Sequence, residues 1–530
     1  MENQSREVEV VIIGAGISGL TAAYRLKKKD PHLDVLVLEA KERVGGRTLT
    51  VEMKSADGSD HWDLGGQWVG RCQPQIMALL EELGLEVYPQ YIRGLKFLQV
   101  GRLSNIASYS SDIPTLPLMG LYDLHRLLSM TDKMALEVNP NDPFSCPKAA
   151  RWDCETLETF IDSKIWTEAV KDLLRACMRT MFGVELSQIS LLYFLTYVAS
   201  AGNMKNLIEA TENTAQEYKI KGGAQQISEK LVKHISKENV LLGEPVSMVT
   251  QAGDSVEVIS KKGNKYRCKK VILAVPPSQI GRMEFNPTLP VETREIIKRM
   301  PPSNVIKFTI TFPTAFWRVA GSSGEVVSNG GASMLPSCDM GPLGVVYDAT
   351  SSNAQPALLG FMGGLQAVQW QKMELETRRS AVLKSLSEFF GTEVYKYIEY
   401  RDLVWDTEPY NEGAPVSCVG PGAMRFYAKG LREPFDKIHF AGTESATIWC
   451  GFMNGAVQAG SRAALEVLYD LRPQLVAASD IQVIGGHRSG HKQGQGQSLS
   501  GKVVKWSLGL GIALAVIFTA RKFYNSMSPA

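Results

Sequence analysis

VEVVIIGAGISGLTAAYRLKKKD, residues 8–30, decides the fold. An apolar run without charges reads as a buried strand, a glycine-rich turn follows, and an amphipathic helix begins after it. Gly14, Gly16 and Gly19 stand as GxGxxG at the strand-to-helix junction, with Ser18 inside the turn. The first glycine permits the tight turn, the second admits a pyrophosphate close to the backbone, and the third allows the helix to sit tightly on the strand. The helix N-terminus then faces the negative charge. A second strand, DVLVLEA, ends near Glu39, twenty residues after Gly19, where a carboxylate can bind a ribose hydroxyl. The expectation is an α/β chain with a Rossmann-like dinucleotide domain.

The residues after Glu39 narrow the dinucleotide. KERVGGRTLT brings Arg43, Gly45, Gly46 and Arg47 to the diphosphate side, and WDLGGQWVG adds Gly65 and Gly66. This arrangement resembles the FAD-binding segment of the flavin amine oxidase superfamily rather than that of a nicotinamide dehydrogenase.

The rest of the chain organises around that domain. With 530 residues and 44% hydrophobic content, two or three domains can each bury a core. A net charge of +2 on 57 basic and 55 acidic side chains offers no basic surface for nucleic acid. The eight cysteines form no CxxC pair, and His487 and His491 sit in a glycine-rich linker, so neither disulfides nor a metal site is expected. Residues 1–89, 218–298 and 398–470 read as three segments of one FAD domain. Residues 90–217, helix-rich with few strand signals, and residues 299–397, with a sheet, read as an inserted α+β substrate domain. Residues 471–505 form a linker rich in Gly, Ser and Gln. Residues 506–522 then hold the uncharged run Trp506–Ala520, flanked by Lys502, Lys505, Arg521 and Lys522, which reads as a C-terminal membrane anchor.

Across nearly its whole length the chain resembles the monoamine oxidases. The motifs that carry the likeness are VIIGAGISGL, LEAKERVGGRT, DLGGQWVG, ELGLEVY, KGGAQQISE, AVPPS, SNVIKF, WDTEPY and HFAGTESATIW. The resemblance implies FAD-dependent oxidative deamination, in which an amine loses a hydride equivalent from its α-carbon and oxygen is reduced to hydrogen peroxide. It implies that Lys307 holds a water beside the flavin and favours charge developing on oxygen. It places Trp405 against the flavin ring, Val246 at the adenine, and Gly442, Glu444 and Met453 along the ribityl chain and pyrimidine. Gln216 borders the substrate cavity. It also implies a tail-anchored protein of the mitochondrial outer membrane, its body in the cytosol, and a homodimer. Polyamine or L-amino-acid oxidation, and a flavin-bearing scaffold without turnover, are the alternatives.

Three positions depart from the family pattern. The cysteine that carries flavin covalently falls on Ala414, and Cys418 comes four residues too late, so FAD is expected to be held without a covalent bond. The two tyrosines that cage the amine fall on Pro415 and Phe452, leaving one aromatic face; another cavity tyrosine is Trp68. Glu209 falls near an apolar gating position, where it either faces the cavity and favours a diamine or points to solvent.

Overall fold

The structure, a computed structural model, describes residues 5–101, 105–333 and 335–485. Val10–Ile13 becomes the middle strand of a five-stranded parallel sheet, between Val35–Leu38 and Lys270–Leu273, with Val240–Leu241 and Ile438–Phe440 at the edges. Both Val10–Ile13 and Val35–Leu38 are buried at every residue, as an uninterrupted apolar strand requires when the sheet is covered on both faces. Alternation sorts their side chains. Val10 and Ile12 pack with Leu20 and Val457 of the helices Ile17–Lys29 and Met453–Leu471. Val11 and Ile13 pack with Val249, Val256 and Val258 of a second five-stranded sheet on the other side.

The two helices meet backbone to backbone. A Cβ on Gly19 would lie 2.0 Å from the Gly14 carbonyl oxygen, and one on Gly460 would lie 2.2 Å from that of Ser18. Only glycine permits either approach: Gly19 seats the first helix on its strand turn, as the motif requires, and Gly460 brings the second helix against it.

A seven-stranded sheet builds the other half of the body, with Val305–Thr311 between Glu399–Val404 and Ala357–Gly363. Ile306, Phe308 and Ile310 pack with Val382 and Leu386 of the helix Leu375–Phe390. By the period of two, Lys307 emerges on the opposite face, towards the first domain. A helical block, including Leu118–Ala135, Glu168–Phe182 and Leu191–Ala201, closes over that face around its own apolar core.

Two features differ from the sequence reading. Residues 90–217 contribute strands Leu95–Gln99 and Ile106–Tyr109, which extend the seven-stranded sheet. Leu95–Gln99 is held by parallel pairing to Ser322–Ser328, a partner so distant in sequence that local pattern carries no trace of it. Glu399–Val404 also belongs to this sheet, so the chain returns to the parallel sheet only at Ile438. Among the described residues no helix is long and apolar enough to cross a membrane. The run Trp506–Ala520 lies outside the described residues.

Candidate active site

One elongated cavity of about 360 Å³ runs from the carboxyl end of the parallel sheet to the seven-stranded sheet. At one end Gly14, Gly16, Ser18, Glu39, Lys41, Gly46, Arg47 and Val246 line it. Gly14 has φ +105°, a left-handed turn, and any Cβ there would strike the Ala274 carbonyl oxygen at 2.7 Å. Gly16 differs: its nearest neighbour would be 4.0 Å away, and at Gly66 the nearest would be 3.9 Å. These two glycines therefore leave open space over bare backbone, a cradle that a bulky dinucleotide can fill. Glu39 is buried and accepts the N–H groups of Ala15 at 2.7 Å and Lys41 at 3.0 Å. Burial pushes its carboxyl up, opposed by those N–H groups and by the charges of Lys41 and Arg43. Glycine backbone, a helix N-terminus and a ribose-ready carboxylate are the donor set that FAD needs.

Three predicted cofactor residues stand outside the cavity wall, each for a physical reason. Gly19 is enclosed by the strand turn. Arg43 turns away to donate to Glu408 at 2.7 Å and to the carbonyls of Gly46 and Thr48, bracing the glycine loop. Glu444 is fully buried and takes both Arg47 nitrogens, at 2.6 and 3.0 Å. Burial works against the Arg47 charge, but Glu444 outweighs it and holds the guanidinium pKa above its usual value. Arg47 also donates to the Pro415 carbonyl at 2.9 Å, so this ion pair ties three chain segments together around the cofactor end.

Gly442 and Met453 line the cavity beside the cofactor cradle, Gly442 next to Val275 and Met453 next to Gly66, while Lys307, Trp405, Phe452 and Gln216 line the other reach. Lys307 is 2% exposed, donates to Gly65 O at 2.8 Å and Gln67 Oε1 at 2.5 Å, and lies 5.5 Å from the Phe361 ring centre. Burial drives its pKa down to about 7, with Asp63 raising it and Lys219 lowering it further. Trp405 is fixed by donating its indole N–H to Leu64 O at 2.9 Å. Gln216 donates to Leu207 O at 3.0 Å, and its Oε1 has no hydrogen-bond partner among the described residues. Tyr197, Leu207, Ile208, Tyr347, Phe361 and Trp68 complete this end.

The departures from the family pattern have clear positions. Ala414 and Pro415 face the cavity; Cys418 does not, lying buried in the helical core beside Phe182, where burial holds its thiol far above the usual range. Phe452 is not alone, because Tyr197 comes within 5.8 Å of its ring from the helix Leu191–Ala201. Glu209 is no cavity residue. It ends the helix Met204–Ile208, accepts from Thr211 Oγ1 at 3.0 Å and pairs with Lys205 at 3.8 Å, while Leu207 and Ile208 line the cavity. Among the described residues no cluster of three or more His, Cys, Asp or Glu is placed to hold a metal.

Fold and site together define a flavin-dependent oxidase with an apolar substrate chamber. Residues 17–468 match the family "Flavin containing amine oxidoreductase", and the chain belongs to that family. It is 32% identical over 470 residues to "Probable flavin-containing monoamine oxidase A" of Dictyostelium discoideum, covering 87% of this chain and 97% of that protein. It is 34% identical over 475 residues to "Amine oxidase [flavin-containing] B" of Sus scrofa, covering 88% and 87%. Among solved structures it superposes on putrescine oxidase bound to putrescine with a TM-score of 0.80 at 27% identity. Cyclohexylamine oxidase from Brevibacterium oxydans gives 0.80 at 29% identity. Each match covers 88% of this chain and 99% of that structure. The protein is a flavin-containing amine oxidase of the monoamine oxidase kind, and its cofactor is FAD.

Proposed function

We propose that the enzyme deaminates an apolar primary or secondary monoamine, with oxygen as the electron acceptor and FAD held without a covalent bond. The observation that carries the substrate class is the make-up of the substrate end. Trp68, Cys177, Met181, Leu207, Ile208, Tyr347 and Phe361 line it, and no carboxylate stands among its described wall residues. A second ammonium group would find no counter-charge there, which disfavours a diamine. An α-carboxylate would find only Lys307, whose Nζ already donates to Gly65 O and Gln67 Oε1.

The bound FAD supplies a two-electron acceptor for the hydride equivalent leaving the α-carbon. The chain's residues supply the rest. Apolar walls favour the neutral amine over its ammonium form. Gln216 Oε1, free of protein partners, accepts the amine N–H, while the Phe452 and Tyr197 rings fix the amine's approach. Lys307 sits buried on the cavity wall that Trp405 also lines, where its ammonium form would stabilise charge developing on oxygen. The iminium product then hydrolyses to aldehyde and ammonia.

The lack of a cysteine at Ala414 supports non-covalent FAD. Acid precipitation releases the flavin into the supernatant if so, whereas Ala414→Cys, which puts a thiol on the cavity wall, gives a fraction in which flavin stays with the polypeptide. The apolar run Trp506–Ala520 with its basic flanks supports a C-terminal anchor in the mitochondrial outer membrane, with the catalytic body in the cytosol. Resemblance alone supports a homodimer. The substrate reading is tested by steady-state kcat/KM for arylalkylamines against chain-matched diamines. A preference of about tenfold or more for the monoamine is expected, and a preference for the diamine contradicts it.

A further inference from the structure

A second, polar cavity of about 20 Å³ lies behind Lys307, with room for about one water molecule. Its inner wall is Asp63, Lys219 and Gln67, all buried, and its rim includes His61, Gly222 and Ser352, all exposed. Gln67 lines both cavities. Its Oε1 accepts from Lys307 Nζ, and its Nε2 has no protein partner among the described residues. A buried amide donor is rarely left unmet, and a water in the small cavity is the acceptor at hand.

The charges around this cavity are arranged about Lys307. Asp63 is anchored by Thr50 Oγ1 at 2.6 Å and the Ala224 N–H at 2.9 Å, and its charge favours the Lys307 ammonium. Lys219 donates to the Thr350 and Asp348 carbonyls at 3.1 and 3.5 Å, lies 5.0 Å from the Tyr88 ring centre, and its charge opposes that ammonium. Asp348 and Arg318, joined at 2.6 and 2.8 Å, bear on Lys219 from behind. Asp60 is held by Ser351 and Asn353, and His61 stands at the mouth.

We propose that this cavity is the proton inlet for oxygen reduction, through which solvent restores the proton Lys307 gives up; the proposal rests on oxygen as the acceptor. The balance requires such a route. Oxygen takes two electrons and two protons to become hydrogen peroxide. The hydride equivalent withdrawn from the amine carries both electrons and one proton, leaving a hydroperoxide anion to be neutralised. Lys307 Nζ donates that proton and is left as a neutral amine. The substrate chamber is mostly apolar and burial keeps the protons on its Tyr197, Tyr347 and Cys177, whereas the cavity behind Gln67 opens to water at His61, Gly222 and Ser352. A proton entering there restores the ammonium, with Asp63 and Lys219 as positioning residues that set how readily Lys307 holds it.

The test mixes anaerobically reduced holoenzyme with oxygen across a pH series, for the parent, Ser352→Trp, Lys219→Met and Asp63→Asn. Ser352→Trp closes the mouth far from Lys307. It is expected to slow reoxidation about tenfold or more, while amine-driven reduction stays at the parental rate. Lys219→Met removes a like charge and moves the pH midpoint of reoxidation up; Asp63→Asn removes an opposite charge and moves it down, each by about one unit. A role in folding alone would not move the two in opposite directions. Where Asp63→Asn fails to fold for want of its Thr50 and Ala224 anchors, the Lys219→Met shift decides. A crystal structure of the holoenzyme is expected to show one water on Gln67 Nε2, and a dry cavity contradicts the inlet. Parental reoxidation in Ser352→Trp with unmoved midpoints overturns the inlet alone. A parent enzyme that amines reduce but oxygen does not reoxidise overturns the acceptor reading, and the inlet with it.

Discussion

The two ends of the long cavity are built from different material. The cofactor end is backbone: Gly14, Gly16, Gly46 and Gly66 present main chain, and Glu39 is held rigidly by two N–H groups. The substrate end is side chain, assembled from a helix (Tyr197), a helix-to-strand loop (Gln216) and a sheet (Tyr347, Phe361). Backbone geometry is fixed by short motifs with strict spacing, so the cofactor end tolerates little change. A wall of interchangeable apolar side chains sets volume and polarity, so preference for one amine over another can drift while the chemistry stays.

The largest effect breaks the cofactor end. Gly16 has φ −76°, which any residue adopts, and open space where a side chain would point. Gly16→Val is therefore expected to fold but to purify without flavin, read as loss of visible absorbance with a retained cooperative melt. Cofactor at parental stoichiometry would show that the cradle lies elsewhere. Next comes Lys307→Met. Removing a preorganised cation is expected to slow reoxidation by roughly 10²–10³-fold, leaving anaerobic reduction within a few fold. Equal losses in both half-reactions would assign Lys307 to the amine instead.

A smaller change sharpens the contrast between the ends. Ile208→Glu puts a carboxylate into the apolar wall and is expected to raise diamine over monoamine kcat/KM about tenfold or more, with flavin content unaltered. Unchanged selectivity would place the far end of the substrate outside this wall. The smallest effect is one of stability. Burial holds the Lys219 pKa at about 8, below its ordinary value. Between that pH and the lysine value of about 10.4 the unfolded chain binds more protons than the folded one, so this lysine's burial costs less as pH rises. The penalty is fully present below about pH 8 and gone above the unfolded value. Relative to Lys219→Met, the parent's melting temperature is expected to rise from pH 8 to pH 10; a constant offset would mean that Lys219 keeps its charge when folded.

What the sequence made legible follows the same division. The strand, turn and helix at residues 8–30 could be read because a GxGxxG junction permits few other structures. Lys307 could be read because a charge inside V-I-K-F-T-I-T-F has to point somewhere dry and purposeful. Tyr197 could not, since a tyrosine in an apolar helix is indistinguishable from core until the helix is docked. Glu209 sat one residue past the cavity: the helix ends there, and the last turn sends Leu207 and Ile208 inward instead. The hairpin Leu95–Gln99 and Ile106–Tyr109 escaped the sequence reading because the strand that ties it into the sheet, Ser322–Ser328, lies far along the chain. Lys219 and Asp63, each unremarkable in its own segment, become neighbours of Lys307 only when three elements meet.

The most direct test is anaerobic mixing of the purified holoenzyme with an arylalkylamine while the visible absorbance of its flavin is followed. Rapid and complete bleaching, matched by one equivalent of aldehyde per flavin after hydrolysis, is the predicted result. Flavin that stays oxidised with arylalkylamines, and equally with diamines and L-amino acids, would contradict amine oxidation and leave the folded cradle as a flavin-bearing scaffold.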